Sequence, residues 1–339
     1  MKNWKASQAA LLSSYFVMTA LIVLVPLPAA AALKPVHVGI RIDNLADVDE
    51  LHERWEMTGA LVTSWLEPRL KYQSQGRDHD HRDISPSLVQ LPHIGFANAI
   101  GTPSLERVDL FVRPDGEVFE VQNFRASLST HLDLRRFPFD AEELPIFIVP
   151  MGRDVNPVRL VPDTAHSRFA GAPYSALAQW QFLSLTIKPY VEHYVDDTAE
   201  GLQFALQVRR SSQSYFWKFI LPLCLIVVVS WIGFWLSPTE FKSKDLLSTA
   251  VTTLLIIVAF TLSITALLPR TSYLTYIDGF LLTCFLFVIA AIGSIAAINI
   301  FESKGREGRA LALRKITGVI LPLSFILIQL AVFAYFSSR

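Results

Sequence analysis

Four stretches of this chain are long and apolar enough to cross a lipid bilayer, and they decide what it can be. They occupy residues 215–236, 246–268, 273–300 and 316–336. A hydrocarbon core about 30 Å thick takes roughly 20 apolar residues in a helix, so each predicts one span. The preceding residues, 33–212, read as an ordinary water-facing domain, and residues 213–339 form the membrane domain. Charge divides the same way: residues 33–212 carry 18 Lys and Arg against 25 Asp and Glu, and residues 213–339 carry 10 against 5. The overall neutrality is therefore an acidic domain mounted on a basic membrane anchor.

The orientation follows from the flanks. Lys2 and Lys5 precede an apolar run over 11–27, and residues 28–32 end in small side chains. This predicts a secretory signal peptide over 1–32, cut near Ala30 or Ala32. With the water-facing domain exported, four spans return the C-terminus to the same side. The first and third connections carry Lys242 and Lys244, then Lys304, Arg306, Arg309, Arg314 and Lys315, whereas the second carries only Arg270. Basic residues thus gather on the loops that stay in the cytoplasm. The two cysteines, Cys224 and Cys284, fall inside apolar runs and define no disulfide framework.

The exported half is punctuated for β structure. Residues 36–42 alternate, and the runs 110–112 and 118–121 flank Arg113-Pro114-Asp115-Gly116, a hairpin signal. Residues 144–149 form a third apolar run, and 183–187 with 202–208 predict a second hairpin. Many short strands without a long amphipathic helix predict an all-β, immunoglobulin-like sandwich followed by a four-helix transmembrane bundle. Residues 77–83, with His79 and His81 among carboxylates, read as a solvated loop rather than a metal site. A nucleophile–base arrangement, a HExxH helix and a phosphate loop are all missing from the sequence, so neither an enzyme nor a cofactor is expected. Nucleic acid is not an expected partner.

The second span differs from the others. Ser248, Thr252, Leu255, Ala259, Leu262 and Ala266 recur at alternating spacings of four and three, and Asp245 lies one step earlier. That spacing places all seven on one helical face. Hydroxyls and a carboxylate inside a span are costly unless they meet water or protein. Two readings stay open: a pore lining with an apolar constriction at its outer half, or hydroxyls bonded to their own helix in a packing face.

Residues Leu132-Asp133-Leu134-Arg135-Arg136-Phe137-Pro138-Phe139-Asp140 resemble the signature loop of the Cys-loop receptor superfamily. Four further features stand in the family's order: Arg113–Gly116 before the loop, Arg210 just before the first span, Pro222 within it, and 268–276 linking the second and third spans. Thr130 and Leu144 occupy the places of the family's cysteines, and the third connection is expected to be a dozen residues over 302–313. Both features match the prokaryotic pentameric ligand-gated ion channels, such as those of Gloeobacter and Erwinia.

The resemblance implies a homopentamer, each subunit meeting four identical partners in the inner membrane of a bacterium, with the β domain and C-terminus in the periplasm. It implies that Asp245 selects for monovalent cations, with Lys244 beside it as a departure, and that Leu255, Ala259 and Leu262 form the gate. Asp140, Arg210 and either Asp49 or Glu50 would couple the domains through the loop at Pro269. A small-molecule agonist would meet Phe96, Arg153, Tyr190, Glu192 and Tyr194. If protons are the stimulus, Glu53 and His193 are the candidate sensors; all eight histidines lie in the exported half. The rival reading is a membrane-tethered periplasmic ligand sensor that does not conduct.

Overall fold

The computed structural model describes residues 33–74, 76, 80–151, 158–171, 179–194, 198–236, 243–265 and 271–338. The expected signal segment, Arg153, Ala266 and Pro269 lie outside the described residues, as do residues 77–79 of the loop carrying His79.

The exported half folds as two sheets. One contains β1 (Lys34–Asp49), β2 (Arg54–Leu66), β3 (Arg82–Asp83), β5 (Ser104–Val112), β6 (Glu117–Ser129), β8 (Val158–Pro162) and β9 (Arg168–Phe169). Its order is β3-β5-β6-β2-β1-β8, with β9 also alongside β1. The other contains β4 (Ile94–Phe96), β7 (Ala141–Pro150), β10 (Trp180–His193) and β11 (Thr198–Arg210), in the order β10-β11-β7-β4. Alternation fixes which faces meet. Val36, Val38, Ile40 and Ile42 of β1 are buried on one face, and Leu144, Ile146 and Ile148 of β7 on the other sheet's inner face.

Local chemistry sets the hairpins. At Arg113-Pro114-Asp115-Gly116, the Gly116 N–H donates to the Arg113 carbonyl at 2.9 Å, and Asp115 accepts from the Glu117 N–H at 3.0 Å. Gly116 adopts φ of 86°, a conformation that favours glycine. The expected strands are present but longer than their apolar runs. The central strand β2 has no clean alternation, because most of Met57–Trp65 is enclosed; a strand covered on both faces loses the period-two signal.

The membrane half contains α1 (Gln213–Trp235), α2 (Ser243–Thr265), α3 (Tyr276–Ser303) and α4 (Glu307–Ser337). Helix α1 contains a π-helical turn over Phe216–Ile220, which ends two residues before Pro222. Proline cannot donate to the turn behind it, which accounts for the loosened winding there. Helix α3 begins later than the hydropathy suggested, because Thr275 and Asp278 form a capping box.

Helix α4 begins nine residues earlier than expected, and this corrects the third connection. Lys304, Gly305 and Arg306 alone join α3 to α4. Ala310-Leu311-Ala312-Leu313 are strong helix formers that hydropathy alone discounts because Arg309 and Arg314 flank them. Arg314 is buried, and its Nη2 donates to the Gly233 carbonyl near the end of α1 at 2.7 Å. In return, Trp235 of α1 donates from Nε1 to the Gly318 carbonyl of α4 at 2.8 Å. Higher in the bundle, Phe325 meets Trp231 edge-on at 5.3 Å and Phe287 at 5.1 Å.

Gly59 on β2 sits close against the backbone of β1. A Cβ there would lie 2.2 Å from the Arg41 carbonyl oxygen. Gly59→Ala is therefore expected to destabilise the protein by about 2 kcal/mol or more, since overpacking commonly costs that much. A thermal melt of the detergent-solubilised protein, followed by size exclusion, checks this.

Candidate functional site

Three parts of the molecule gather the residues with functional chemistry: the junction between the domains, the outward face of α2, and the β10–β11 hairpin.

At the junction, β11 ends on Arg210 and β7 begins immediately after Asp140, so strand pairing brings the two together. The Arg210 N–H donates to the Asp140 carbonyl at 3.1 Å. The guanidinium Nε then donates to both Asp140 carboxylate oxygens, at 2.9 and 3.1 Å, and Nη1 donates to Glu50 at 2.8 Å. The Arg210 side chain has 0% exposure, Asp140 1% and Glu50 21%, so this is a buried charge cluster and not a surface pair. Aromatic rings complete its enclosure: Trp180, the cross-strand neighbour, lies 4.1 Å from the guanidinium carbon and Phe137 lies 4.8 Å away. Such rings favour a cation on their faces where water is scarce.

Of the two expected partners from the β1–β2 turn, Glu50 is the one at Arg210. Asp49 faces the other way, with His52 Nδ1 at 2.8 Å and Arg54 Nε at 3.1 Å. Partial burial opposes it, but those hydrogen bonds hold its carboxyl below the usual range. Glu53 takes φ of 50° in the same turn. Its carbonyl accepts from Thr130 N–H at 2.9 Å and its carboxylate lies 3.0 Å from His131 Nδ1. The turn is thus tied to the start of the signature loop.

The loop itself rests on the helices. Tyr273, just before α3, accepts through its hydroxyl from the Leu134 N–H at 3.0 Å, and donates to the Leu132 carbonyl at 3.4 Å. Phe139 lies edge-on against Tyr276 at 5.4 Å and Phe333 at 5.8 Å. Phe137 lies edge-on against Tyr215 at 4.9 Å. The Phe137–Pro138 peptide is cis. Asp140, Arg210 and the loop therefore join one strand pair, one turn and three helices at a single point.

Along α2, the subunit buries Leu246, Ala250, Thr253, Ile257 and Ile264. The opposite stripe is exposed: Asp245, Ser248, Thr252, Leu255 at 65%, Ala259 and Leu262 at 70%. Thr252 donates back to the Ser248 carbonyl at 2.9 Å, so its proton needs no outside partner. Lys244 lies in the first turn of α2 with Asp245.

At the β10–β11 hairpin, the Tyr190 ring stacks on Phe147 at 4.2 Å and its hydroxyl donates to Glu192 at 2.5 Å. Burial and that carboxylate push the phenol up to about 12, so it remains a donor. His193 and Tyr194 are exposed beside it. Phe96, on β4 in the same sheet, turns its ring onto Phe124 at 4.8 Å, inside the sandwich. A separate concavity of about 600 Å³ lies over β5, lined by His81, Asp83, Arg107, Asp109 and the buried Glu120.

Two family profiles match the chain: the neurotransmitter-gated ion-channel ligand binding domain over residues 23–212, and the neurotransmitter-gated ion-channel transmembrane region over 219–320. The chain belongs to the neurotransmitter-gated ion-channel family. A proton-gated ion channel of Gloeobacter violaceus is 26% identical over 304 residues, covering 89% of this chain and 83% of that one. A Drosophila melanogaster gamma-aminobutyric acid receptor subunit beta-like protein is 26% identical over 284 residues, 78% of this chain and 56% of its own length. A glycine receptor subunit beta of Rattus norvegicus is 24% identical, with 80% and 56% covered. The chain thus spans most of the bacterial channel and little more than half of these animal subunits.

Family membership and the fold agree on a ligand-gated channel subunit, with a β-sandwich domain and four membrane helices. One junction residue carries no sequence signal. Glu142, on β7, is 5% exposed and accepts from the Asp133 N–H at 3.2 Å, while its Oε1 has no hydrogen-bond partner among the described residues. In sequence it is simply a carboxylate two places after the signature motif.

Removing one partner from a buried ion pair strands the other, at a cost of about 3–5 kcal/mol. Asp140→Asn is therefore expected to lower the apparent melting temperature and the folded yield severely. Glu50→Gln, at the more exposed end of the cluster, is expected to cost much less. Parallel thermal melts of the two variants check the order.

Proposed function

We propose that five copies of this chain assemble into a cation-selective channel whose pore is lined by α2, opened by protons or by a small molecule bound to the exported domain. The observation that carries this reading is the exposed stripe on α2. It bears a carboxylate at one end, hydroxyls above it, and Leu255 with Leu262 further out. Lipid would penalise the carboxylate and hydroxyls, whereas a ring of five such stripes would keep them hydrated. Asp245 lies in the first turn of α2, at one end of the exposed stripe, where five copies would present a ring of carboxylates to passing cations. Rings of Leu255 and Leu262 would form a constriction that closes by expelling water, with Ala259 between them.

The stimulus would act through the junction. The β1–β2 turn, the signature loop and the start of α3 are held together by Glu50, Glu53, Arg210 and Tyr273. A displacement of the sandwich therefore reaches the membrane helices through a few strong, directional contacts. Protons are supported by the Glu53–His131 contact on this path and by the similarity to a proton-gated channel. The Tyr190–Glu192 hairpin supplies an alternative docking point for a small ligand, with Arg153 and His193 as further candidates.

Single-channel recording of purified protein in planar bilayers tests the proposal. Unitary currents are expected within the range where carboxylates and histidines titrate; their absence throughout would favour a non-conducting sensor. Leu255→Ser is expected to lower the half-activating stimulus by about tenfold, equivalent to a bias of roughly 1.4 kcal/mol toward opening. Asp245→Asn is expected to reduce the cation-to-anion permeability ratio, read from the reversal potential in a salt gradient.

A further inference from the structure

We infer that Glu142 is a proton-binding residue through which acid acts on the domain junction. The inference rests on the channel reading for its consequence, but not for its chemistry. Glu142 lies on β7 opposite Val208 of β11, two residues from each arm of the Asp140–Arg210 pair. It is enclosed, has one hydrogen bond from the Asp133 N–H, and presents a buried oxygen that nothing satisfies among the described residues. An ionised carboxylate in that position would leave lone pairs unbonded in a dry site, which is expensive. The neutral acid avoids most of this cost.

The charges around it argue the same way. Facing Glu142 are Asp133 and Asp140 from the signature loop and Arg210 from β11. Arg210 already serves Asp140 and Glu50, so this core carries one negative charge in excess before Glu142 is counted. A second excess charge would have to compete for Arg210, since Asp133 is itself an acid whose near cation is Arg135 at 3.6 Å. Burial, with Asp140 and Asp133 adding to it, pushes the Glu142 carboxyl up to about 7, although the Asp133 N–H and Arg210 pull the other way.

One further atom indicates where the ionised form would turn. Arg210 Nη2 is buried without a partner among the described residues, as is Glu142 Oε1. Ionisation of Glu142 creates a second claimant for the guanidinium, in competition with Asp140 and Glu50. The junction therefore has two arrangements: an acid one, in which Arg210 belongs wholly to Asp140 and Glu50, and an alkaline one, in which Glu142 draws on it or becomes hydrated. The sign follows from the raised carboxyl. Acid favours the arrangement described here, and that preference is lost as pH rises through about 7.

Ion flux from proteoliposomes, stepped across neutrality, is the test, with Glu142→Gln as a permanently neutral near-isostere. Wild-type flux is expected to titrate with a midpoint near 7. The Gln variant is expected to hold its flux at the wild-type acid level, within about twofold, across that step. A Gln variant that retains the wild-type midpoint overturns the inference while leaving the channel reading intact. Infrared difference spectra supply a readout independent of conduction. A protonated-carboxyl band should vanish from the wild type as pH passes neutrality and be missing from Glu142→Gln; identical spectra overturn the inference. Should wild type carry no flux, the channel reading fails and the spectra still decide Glu142. Where the Gln variant does not fold, Glu142→Asp keeps the acid on a shorter arm and must displace the midpoint; an unmoved midpoint overturns the inference.

Discussion

A guanidinium enclosed between two carboxylates and two aromatic faces sets most of what surrounds it. Arg210 has no exposed side-chain surface, so its charge must be compensated within the protein. Asp140 can do so only because β7 and β11 pair in the register that starts one strand where the other ends. Glu50 can do so only because β1 and β2 close in a tight turn beside the signature loop. The packing of Phe137 beneath the guanidinium and of Tyr215 above Phe137 then fixes where the first membrane helix begins. A fold that moved any of these elements by one residue would strand a charge.

The same cluster would let the junction switch in the proposed channel. Hydrophobic contacts between domains tolerate small sliding, whereas a few directional charge-assisted bonds favour discrete arrangements. The turn, the signature loop and Tyr273 form a short series in which each member holds the next by a hydrogen bond or an ion pair. The exposed stripe of α2 lies in the same bundle, packed beside α3, whose own first turn is capped by Thr275 and Asp278.

Much of this was legible in the sequence, for identifiable reasons. Long apolar runs gave the four helices, because lipid imposes a length that no soluble core needs. Turn chemistry at Asp115-Gly116 gave the β5–β6 hairpin. The regular spacing from Asp245 to Leu262 anticipated one exposed face. Boundaries were less legible. Hydropathy started α4 late, since it scores Arg309 and Arg314 as water-seeking and cannot see that Arg314 reaches the Gly233 carbonyl. Nor could spacing choose between Asp49 and Glu50: adjacent acids in a turn point apart, and only the fold shows which one meets Arg210. Glu142 was illegible for a similar reason. A carboxylate in an alternating strand reads as solvent-facing unless the other side is known to be covered.

The exchange of carbonyl caps at the base of the bundle, Arg314 to Gly233 and Trp235 to Gly318, has a mechanical meaning. With only Lys304, Gly305 and Arg306 between them, α3 and α4 share a foot, and those two bonds bolt that foot to α1. A lever fastened at its lower end can lean but cannot slide. In the proposed channel, a push delivered at Tyr273 or Phe139 would therefore emerge as tilt, greatest at the domain junction and smallest at the α3–α4 foot. Leu255 and Leu262 stand on the part of α2 that such a tilt would move, while Asp245 stays close to the fulcrum.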